Sequence, residues 1–333
     1  MAGPVKPDGY LDGVLQARAV LEGPNPESWY DRLEREETDL ERALEAACED
    51  DPALGLRTAP LLQRFWFARG RLERGRQWVE RLLAAAGDQP TPERGQGLFA
   101  AAALAFRQGE NDVSRRYARE ALDIARQFKL PELEMDAELA LSRIGLRDRD
   151  LDNLRRYAEH ARKVARQRAD EARELSAIHV LAEAARMGGD YPSARILYDE
   201  SLARNRARGN RLVVAVELVN LAFVDKTEGN LARAEENLRE AFLISEEIHN
   251  SYVQAATLVA LAAVATSAKQ PERAARLLGR ADAIYTATGL VVDPADKPEY
   301  DGALSGARAQ LGRDEFEAAY AEGARASLEE LVR

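Results

Sequence analysis

Apolar side chains along this chain recur at helical spacing, and no stretch shows the period-two alternation of a half-buried strand. Short turn-like segments punctuate the pattern: RGRLERG from Arg69, QGENDVS from Gln108, RDRDLDN from Arg147, GGDYPSA from Gly188, EGNLARA from Glu228 and AKQPERA from Ala268. Within them Gly70, Gly109, Arg149, Gly189, Gly229 and Lys269 step by 39, 40, 40, 40 and 40 residues. Six copies in so constant a register define an internal repeat, and the repeat has to be recognised before any single motif.

Each copy has the same internal order. Seven residues before the turn stand Gln63, Ala102, Ser142, Ala182, Ala222 and Ala262. Five after it stand Gly75, Ser114, Leu154, Ala194, Ala234 and Ala274, and twelve after it Leu82, Ala121, Ala161, Ser201, Ala241 and Ala281. Small residues at fixed places on two consecutive helices let backbones approach closely, while larger ones such as Leu197, Leu202, Leu238, Phe242, Leu277 and Ile284 fill the seams. A single helix–turn–helix unit cannot bury its apolar faces alone, so the units must stack. The pattern predicts an all-α solenoid of hairpins with a period of about 40 residues. Asn111, Asp190 and Asn230 are placed to cap the second helices, and Pro131, Pro192 and Pro271 fall at or just after turns, where a missing N–H costs little.

The ends differ. WYDRLEREETDLERALEAA, Trp29 to Ala47, reads as one amphipathic helix, with a weaker helix over Leu11 to Glu22 before it. VVDPADKP, Val291 to Pro298, reads as a proline-broken linker, followed by helices over Tyr300 to Leu311 and Arg313 to Val332, the latter capped by Asp314. The expected organisation is a helical cap at 1–50, six hairpins over 51–290 and a second helical cap at 291–333, in one continuous domain.

GGDYPSARILYDESLARNRARGN and EGNLARAEENLREAFLISEEIHN carry a G-[DN]-[YL]-x-x-A turn leading into a helix, and in this they resemble tetratricopeptide repeats. The long period is similar to that of the sensor region of LuxR- and maltose-activator-type bacterial regulators, which couple a signal-transduction ATPase to a DNA-binding module. The segments WYDRLEREETDLERALEAA and LGRDEFEAAYAEGARASLEELVR are similar to the helices that open and close that region. The resemblance implies a right-handed solenoid with atypical end caps. It also implies either a detached regulator tail or a stand-alone repeat protein that works through partners, because no G-x-x-x-x-G-K-[ST] phosphate loop occurs.

Composition narrows the chemistry. Of 333 residues 46% are hydrophobic and 31% charged, and 47 basic against 57 acidic residues leave a net charge of −10. Such a chain repels a phosphate backbone, so coating of nucleic acid is not expected. The basic residues are six lysines and 41 arginines, the bias of an alanine- and arginine-rich coding sequence. Cys48 is the only cysteine, which excludes an internal disulfide or a thiolate cluster and fits a reducing, cytoplasmic setting. MAGPVKPDGYLDG has no apolar core of a signal peptide, and AATLVALAAVA, Ala255 to Ala265, is short of the ~20 residues a membrane span needs. His160, His179 and His249 stand far apart, with no H-E-x-x-H pair, and no G-x-S-x-G elbow is present, so neither a metal, a cofactor nor a catalytic residue is expected. DRDLDNLRRYAE, Asp148 to Glu159, copies the spacing of an EF-hand loop, but Asn153 replaces its glycine and Arg155 an apolar residue; it reads as the third turn and the start of a helix. Phe65, Trp66, Phe67 and Trp78 read as core between the first units.

In tetratricopeptide-like stacks the first helices of the units line a concave face. Projected onto this register, that face includes Arg57, Arg64, Gln96, Arg107, Asp136, Arg143, Arg147, Ser176, His179, Glu183, Arg186, Asn220, Phe223 and Lys226. Seven of these are basic and two acidic, a local reversal of the overall sign, and arginine's planar fork suits carboxylates and phosphates. Asn220 takes the place from which related repeats hold a peptide backbone. The expected activity is therefore non-catalytic: a groove for an acidic or carboxylate-ended peptide, a protein partner or a small anionic effector, in a signalling or transcriptional regulator. One alternative is a repeat-built response-regulator phosphatase or peptide-pheromone receptor, although only about fifty residues precede the repeats where those proteins carry a helical bundle. The other is a helical-repeat nucleic-acid binder, which requires the same base-reading side chain in every unit, a regularity the face lacks.

Overall fold

The computed structural model describes residues 7–332. Met1 to Lys6, the start of the segment read as carrying no signal peptide, and Arg333 lie outside the described residues. The chain divides between Val180 and Leu181 into two compact units. Among the described residues there are nineteen helices and no strand.

Four helices open the first unit: α1 (Pro7–Gln16), α2 (Arg18–Leu21), α3 (Glu27–Arg35) and α4 (Glu37–Asp50). Helical pairs follow as α5 (Pro52–Ala68) with α6 (Leu72–Ala86), α7 (Pro92–Arg107) with α8 (Asn111–Phe128), and α9 (Pro131–Asp148) with α10 (Leu151–Gln167). Next come α11 (Glu171–Met187) with α12 (Tyr191–Arg208), α13 (Arg211–Thr227) with α14 (Leu231–Glu247), and α15 (Ser251–Ser267) with α16 (Pro271–Thr288). The chain ends in α17 (Lys297–Leu311), α18 (Arg313–Arg325) and α19 (Leu328–Val332). The unit boundary falls within α11. In the first unit the first helices α5, α7 and α9 pack side by side, as α13 and α15 do in the second.

The turns explain where the first helix of each hairpin stops. Gly70, Gly109, Arg149, Gly189, Gly229 and Lys269, the six register positions, all have positive φ, between 56° and 83°. At each one the next residue's N–H returns to the carbonyl five residues back: Arg71 to Trp66, Glu110 to Ala105, Asp150 to Gly145, Asp190 to Ala185, Asn230 to Asp225 and Gln270 to Ala265. This Schellman closure satisfies carbonyls that the helix end would leave bare. A second series, which the pattern of small residues does not reveal, sits between hairpins: Lys129, Ala169, Gly209, His249 and Gly289 are also left-handed. His249 is thus a turn residue.

Small side chains at the three register positions are buried, from Ala102 to Ala281, except that Gln63 is half-buried. The seam residue on α12 is Tyr198 rather than Leu197: Tyr198 is fully enclosed and Leu197 half-buried. Phe65, Trp66 and Trp78 are core, whereas Phe67 is half-buried under the Arg107 guanidinium, 4.6 Å from its ring centre. Two glycines in the second unit, Gly279 on α16 and Gly323 on α18, allow direct backbone approach: a Cβ on either would collide with the Tyr320 or Arg276 carbonyl.

Several boundaries differ from expectation. The helix expected over Trp29 to Ala47 breaks at Glu36, which adopts φ −98° and ψ 21° and separates α3 from α4. The weaker helix before it breaks at Ala17. Asn111 begins α8 instead of capping it, the cap position being Glu110, and Asn230 sits at a cap position without a capping side-chain bond. Asp190 does cap, accepting from the Ser193 N–H. Gly312 takes the cap position expected of Asp314, and the last helix divides at Ala326 into α18 and α19. The acidic segment that copies a calcium loop is helical from Leu151 onward, with Asp150 accepting from the Asn153 N–H.

These turns make a direct prediction for stability. Gly229→Ala meets no neighbour within 4 Å, so it costs only left-handed strain, about 1 kcal/mol. Lys269→Gly relieves the same strain and gains about 0.5–1 kcal/mol, a sign reversal readable from urea midpoints. Gly323→Ala meets unyielding backbone and costs about 2–3 kcal/mol, releasing α18 from α16.

Candidate functional site

Buried charge must be paired, so the most informative group is Arg186 near the end of α11, 6% exposed. Its Nε donates to the Tyr198 hydroxyl at 3.3 Å, and its Nη2 to Asn220 Oδ1 at 3.2 Å and Asp296 Oδ1 at 2.6 Å. Its guanidinium also lies 4.9 Å from the Phe223 ring centre. Helical spacing puts Asn220 and Phe223 on one face of α13, three residues apart. Lys226, three further on and 40 residues after Arg186, occupies the equivalent repeat position and donates to Glu299 at 2.6 Å.

The anions come from the non-helical stretch 290–296 and the first turn of α17. Asp293, Pro294, Ala295 and Asp296 are buried there. Asp293 accepts from the Tyr252 hydroxyl at 3.3 Å and from the Ala295 N–H at 3.1 Å. A small pocket beside them is lined by Glu183, Val216, Val219, Asn220, Tyr252, Val253, Ala256 and Asp296. Behind it Glu217, fully buried, accepts from the Ser201 hydroxyl at 2.5 Å.

Of the residues projected onto the face, Glu183, Arg186, Asn220 and Phe223 gather in the second unit around Asp296, with Lys226 at the adjoining Glu299. In the first unit Arg107 and Arg147 converge on Phe106: Arg147 lies 4.7 Å from its ring centre and donates to its carbonyl at 3.0 Å. Asp136 makes a two-pronged pair with Arg173 at 2.8 Å. Ser176 bonds back to the Ala172 carbonyl, Arg143 and His179 are half-buried, and Arg57 and Arg64 are exposed. Other arginines join one hairpin to the next, as in Arg206–Glu240 and Arg273–Glu235, while Arg168–Glu132 ties the end of α10 to its own partner α9 and Arg74–Glu41 ties α6 to α4. Tyr198, Tyr252, Asp293, Asp296 and Glu299 escape the repeat register because they lie on a second helix, at a helix start or beyond the repeats. The only signal for the anions was the acidic spacing in DPADKPE.

A second polar cluster occupies the first unit. Ligand atoms of Glu134, Glu138 and His160 lie within 4.8 Å of one another. Arg126 already holds both carboxylates, at 3.0 Å for Glu134 and 3.2 Å for Glu138, and His160 Nδ1 lies 2.7 Å from Glu138. Burial pushes the Glu138 carboxyl above its ordinary range, with His160 opposing. The guanidinium supplies the positive charge that a cation would bring.

No protein-family model matches the chain, and no curated protein matches it in sequence. Solved structures do. NprR in complex with its cognate peptide NprX is similar at 14% identity, over 90% of this chain and 82% of that one, with a TM-score of 0.57. A Rap protein complexed with competence and sporulation factor is similar at 14% identity, over 96% and 99%, with a TM-score of 0.56. The apo form of the quorum sensor NprR from B. thuringiensis matches at 14% identity over 97% and 90%, with a TM-score of 0.53. At these identities the likeness speaks to the fold: the chain is built of tetratricopeptide-like helical hairpins. Among the described residues no helix is long and apolar enough to cross a membrane.

One guanidinium stands among three carboxylates, those of Glu183, Asp293 and Asp296. Burial pushes the Asp296 carboxyl up to about 7, with the Asp293 and Glu183 charges adding to the effect and Arg186 opposing it. Burial pushes the Tyr285 hydroxyl on α16 well above its ordinary value, with the Asp296 charge adding to the effect, and the Tyr252 hydroxyl reaches the group through Asp293. Freed to water, Asp296 titrates near 3.8. The raised value therefore favours the packed segment fully below pH ~4, and that contribution is lost as pH rises through about 7. Hydrogen exchange of amides 290–296, corrected for intrinsic rates, is expected to quicken from pH 5 to 7.5, and Asp296→Asn is expected to flatten that dependence.

Proposed function

We propose that the chain is a peptide- or protein-binding repeat module with no chemistry of its own, the sensory or interaction part of a bacterial signalling or transcriptional regulator. The single observation that carries the reading is that the face formed by α11, α13 and α15 holds the non-helical stretch 290–296 and the first turn of α17 through their carboxylates. Arg186 and Lys226 take Asp296 and Glu299, and Tyr252 takes Asp293. Repeated helical faces suit this task because each unit offers one side chain at the same height, and arginine meets a carboxylate better than any other cation does. Two of the similar structures are described as peptide or factor complexes, NprR with NprX and Rap with competence and sporulation factor, and this supports a peptide ligand here. The opening and closing segments that resemble those of LuxR- and maltose-activator-type sensor regions support the regulatory setting.

The ligand class that follows is an acidic peptide. In a fluorescence-anisotropy screen of short peptides differing in charge, acidic members bind and basic members of equal length do not. Lys226→Glu, a change on a half-buried side chain, weakens acidic binding at least fivefold, and added salt weakens it further. Failure of every peptide, whatever its charge, removes the reading.

A further inference from the structure

The anions that satisfy this face belong to the chain itself, and their arrangement is regular. Asp293, Asp296 and Glu299 are spaced by three, and each is met by a donor of the face, Tyr252, Arg186 and Lys226 in turn. The peptide between them is a turn leading into a helix, for the N–H groups of Asp296 and Lys297 both reach the Asp293 carbonyl at 3.0 Å. Three-residue spacing along such a turn puts the carboxylates on one side, facing the donors.

The way this segment is attached differs from that of the helices around it. Gly289, with φ +69°, precedes it, and Gly302, with no neighbour within 4 Å of a built Cβ, follows it. Leu290, Pro294 and Ala295 are its buried apolar anchors, the Tyr300 hydroxyl donates to Asp282 at 2.7 Å, and Lys297 and Pro298 are exposed. Helix α17 gains buried anchors only from Ala303 and Ala307 onward. Opening confined to 290–302 would thus leave the second half of α17 on α15 and α16, which it packs against. Segments with few apolar contacts and polar attachment belong to the readily opened part of a fold.

We propose that residues 290–299 are a built-in occupant of the Arg186–Lys226 face, displaced by a partner segment that presents carboxylates at positions i, i+3 and i+6 in a turn entering a helix. This inference rests on the peptide-binding reading above and specifies its ligand. The free face would otherwise leave Arg186 buried without its strongest counter-charge, so the internal segment keeps the face satisfied until a matching acidic peptide competes for it.

The test uses the full chain and a labelled synthetic peptide, LVVDPADKPEY, which copies residues 290–300. A control peptide carries Asn, Asn and Gln in place of its three acids. Two variants weaken the internal segment: Asp296→Ala with Glu299→Arg, and Glu299→Arg alone, which changes only a partly exposed first-turn side chain and serves if the double variant unfolds. Because apparent affinity falls by the fraction of molecules that are open, the double variant is expected to bind the peptide about tenfold or more tighter than the native chain, and the single variant by a smaller factor. The control peptide binds none of them. In the native chain, excess peptide accelerates hydrogen exchange at 290–300 and leaves 303–311 unchanged. The proposal is overturned if a folded variant binds the peptide no tighter than the native chain does, or if 290–300 exchanges as slowly as 303–311 with peptide present. Equal binding of acidic peptides to native and variant chains would sink the displacement alone, whereas no binding of any peptide to any of them would sink the peptide-binding reading itself.

Discussion

Everything in this molecule hangs on how a helix of about seventeen residues is made to stop and reverse. The device is one left-handed residue followed by an N–H that closes on the carbonyl five residues back, repeated at every turn inside the hairpins and at most turns between them. Glycine takes that conformation freely, yet Arg149, Lys129, Ala169, His249 and Lys269 adopt it too. Those five positions carry a conformational cost that only tertiary packing can offset, because an isolated helix would run on or fray. The turns set the length of each helix, the lengths set the register, and the register decides which side chains meet.

Close approach is the second constraint. Ala102, Ala182, Ala222 and Ala262 recur at one register position of the first helices, Ala194, Ala234 and Ala274 at one position of the second helices, and all are buried. Larger residues at those places would force the backbones apart and expose the seams. Toward the end of the chain the same logic is carried further, since at Gly279 and Gly323 even a methyl group is too large. Charged residues add a looser layer outside this core. Arginines that reach from one hairpin to the acids of another, as Arg206 does to Glu240, sit where solvent screens them, so they add orientation more than stability.

Against that background Arg186 is unusual. It is charged, enclosed and satisfied by a carboxylate 110 residues away in sequence, together with a tyrosine and an asparagine. A buried ion pair is weak support for stability, because desolvation offsets most of its attraction, but losing one partner is severe. Such a pair therefore serves better as a specific latch than as a stabiliser. Its counterpart in the first unit, Glu138 with Arg126 and His160, is of the same kind but is closed by neighbouring helices alone.

The hairpins, their period, the all-helical character and most of the buried small residues were legible in the linear pattern, because helical burial is periodic and a repeat multiplies the signal. Asp190 as a cap was legible for the same reason, since its requirement is local. The break at Ala326 had a local signal, since Ser327 and Glu330 cap each other's N–H groups at the start of α19. The break at Glu36 was not legible, because the helix-forming tendency runs on through it. Nor could the pattern show that Arg186, Lys226 and Tyr252 would find their partners in Asp296, Glu299 and Asp293. Register predicts which residues share a face of one helix, whereas the pairing of a buried charge depends on which distant segment comes to lie against that face, and that is set by three-dimensional packing.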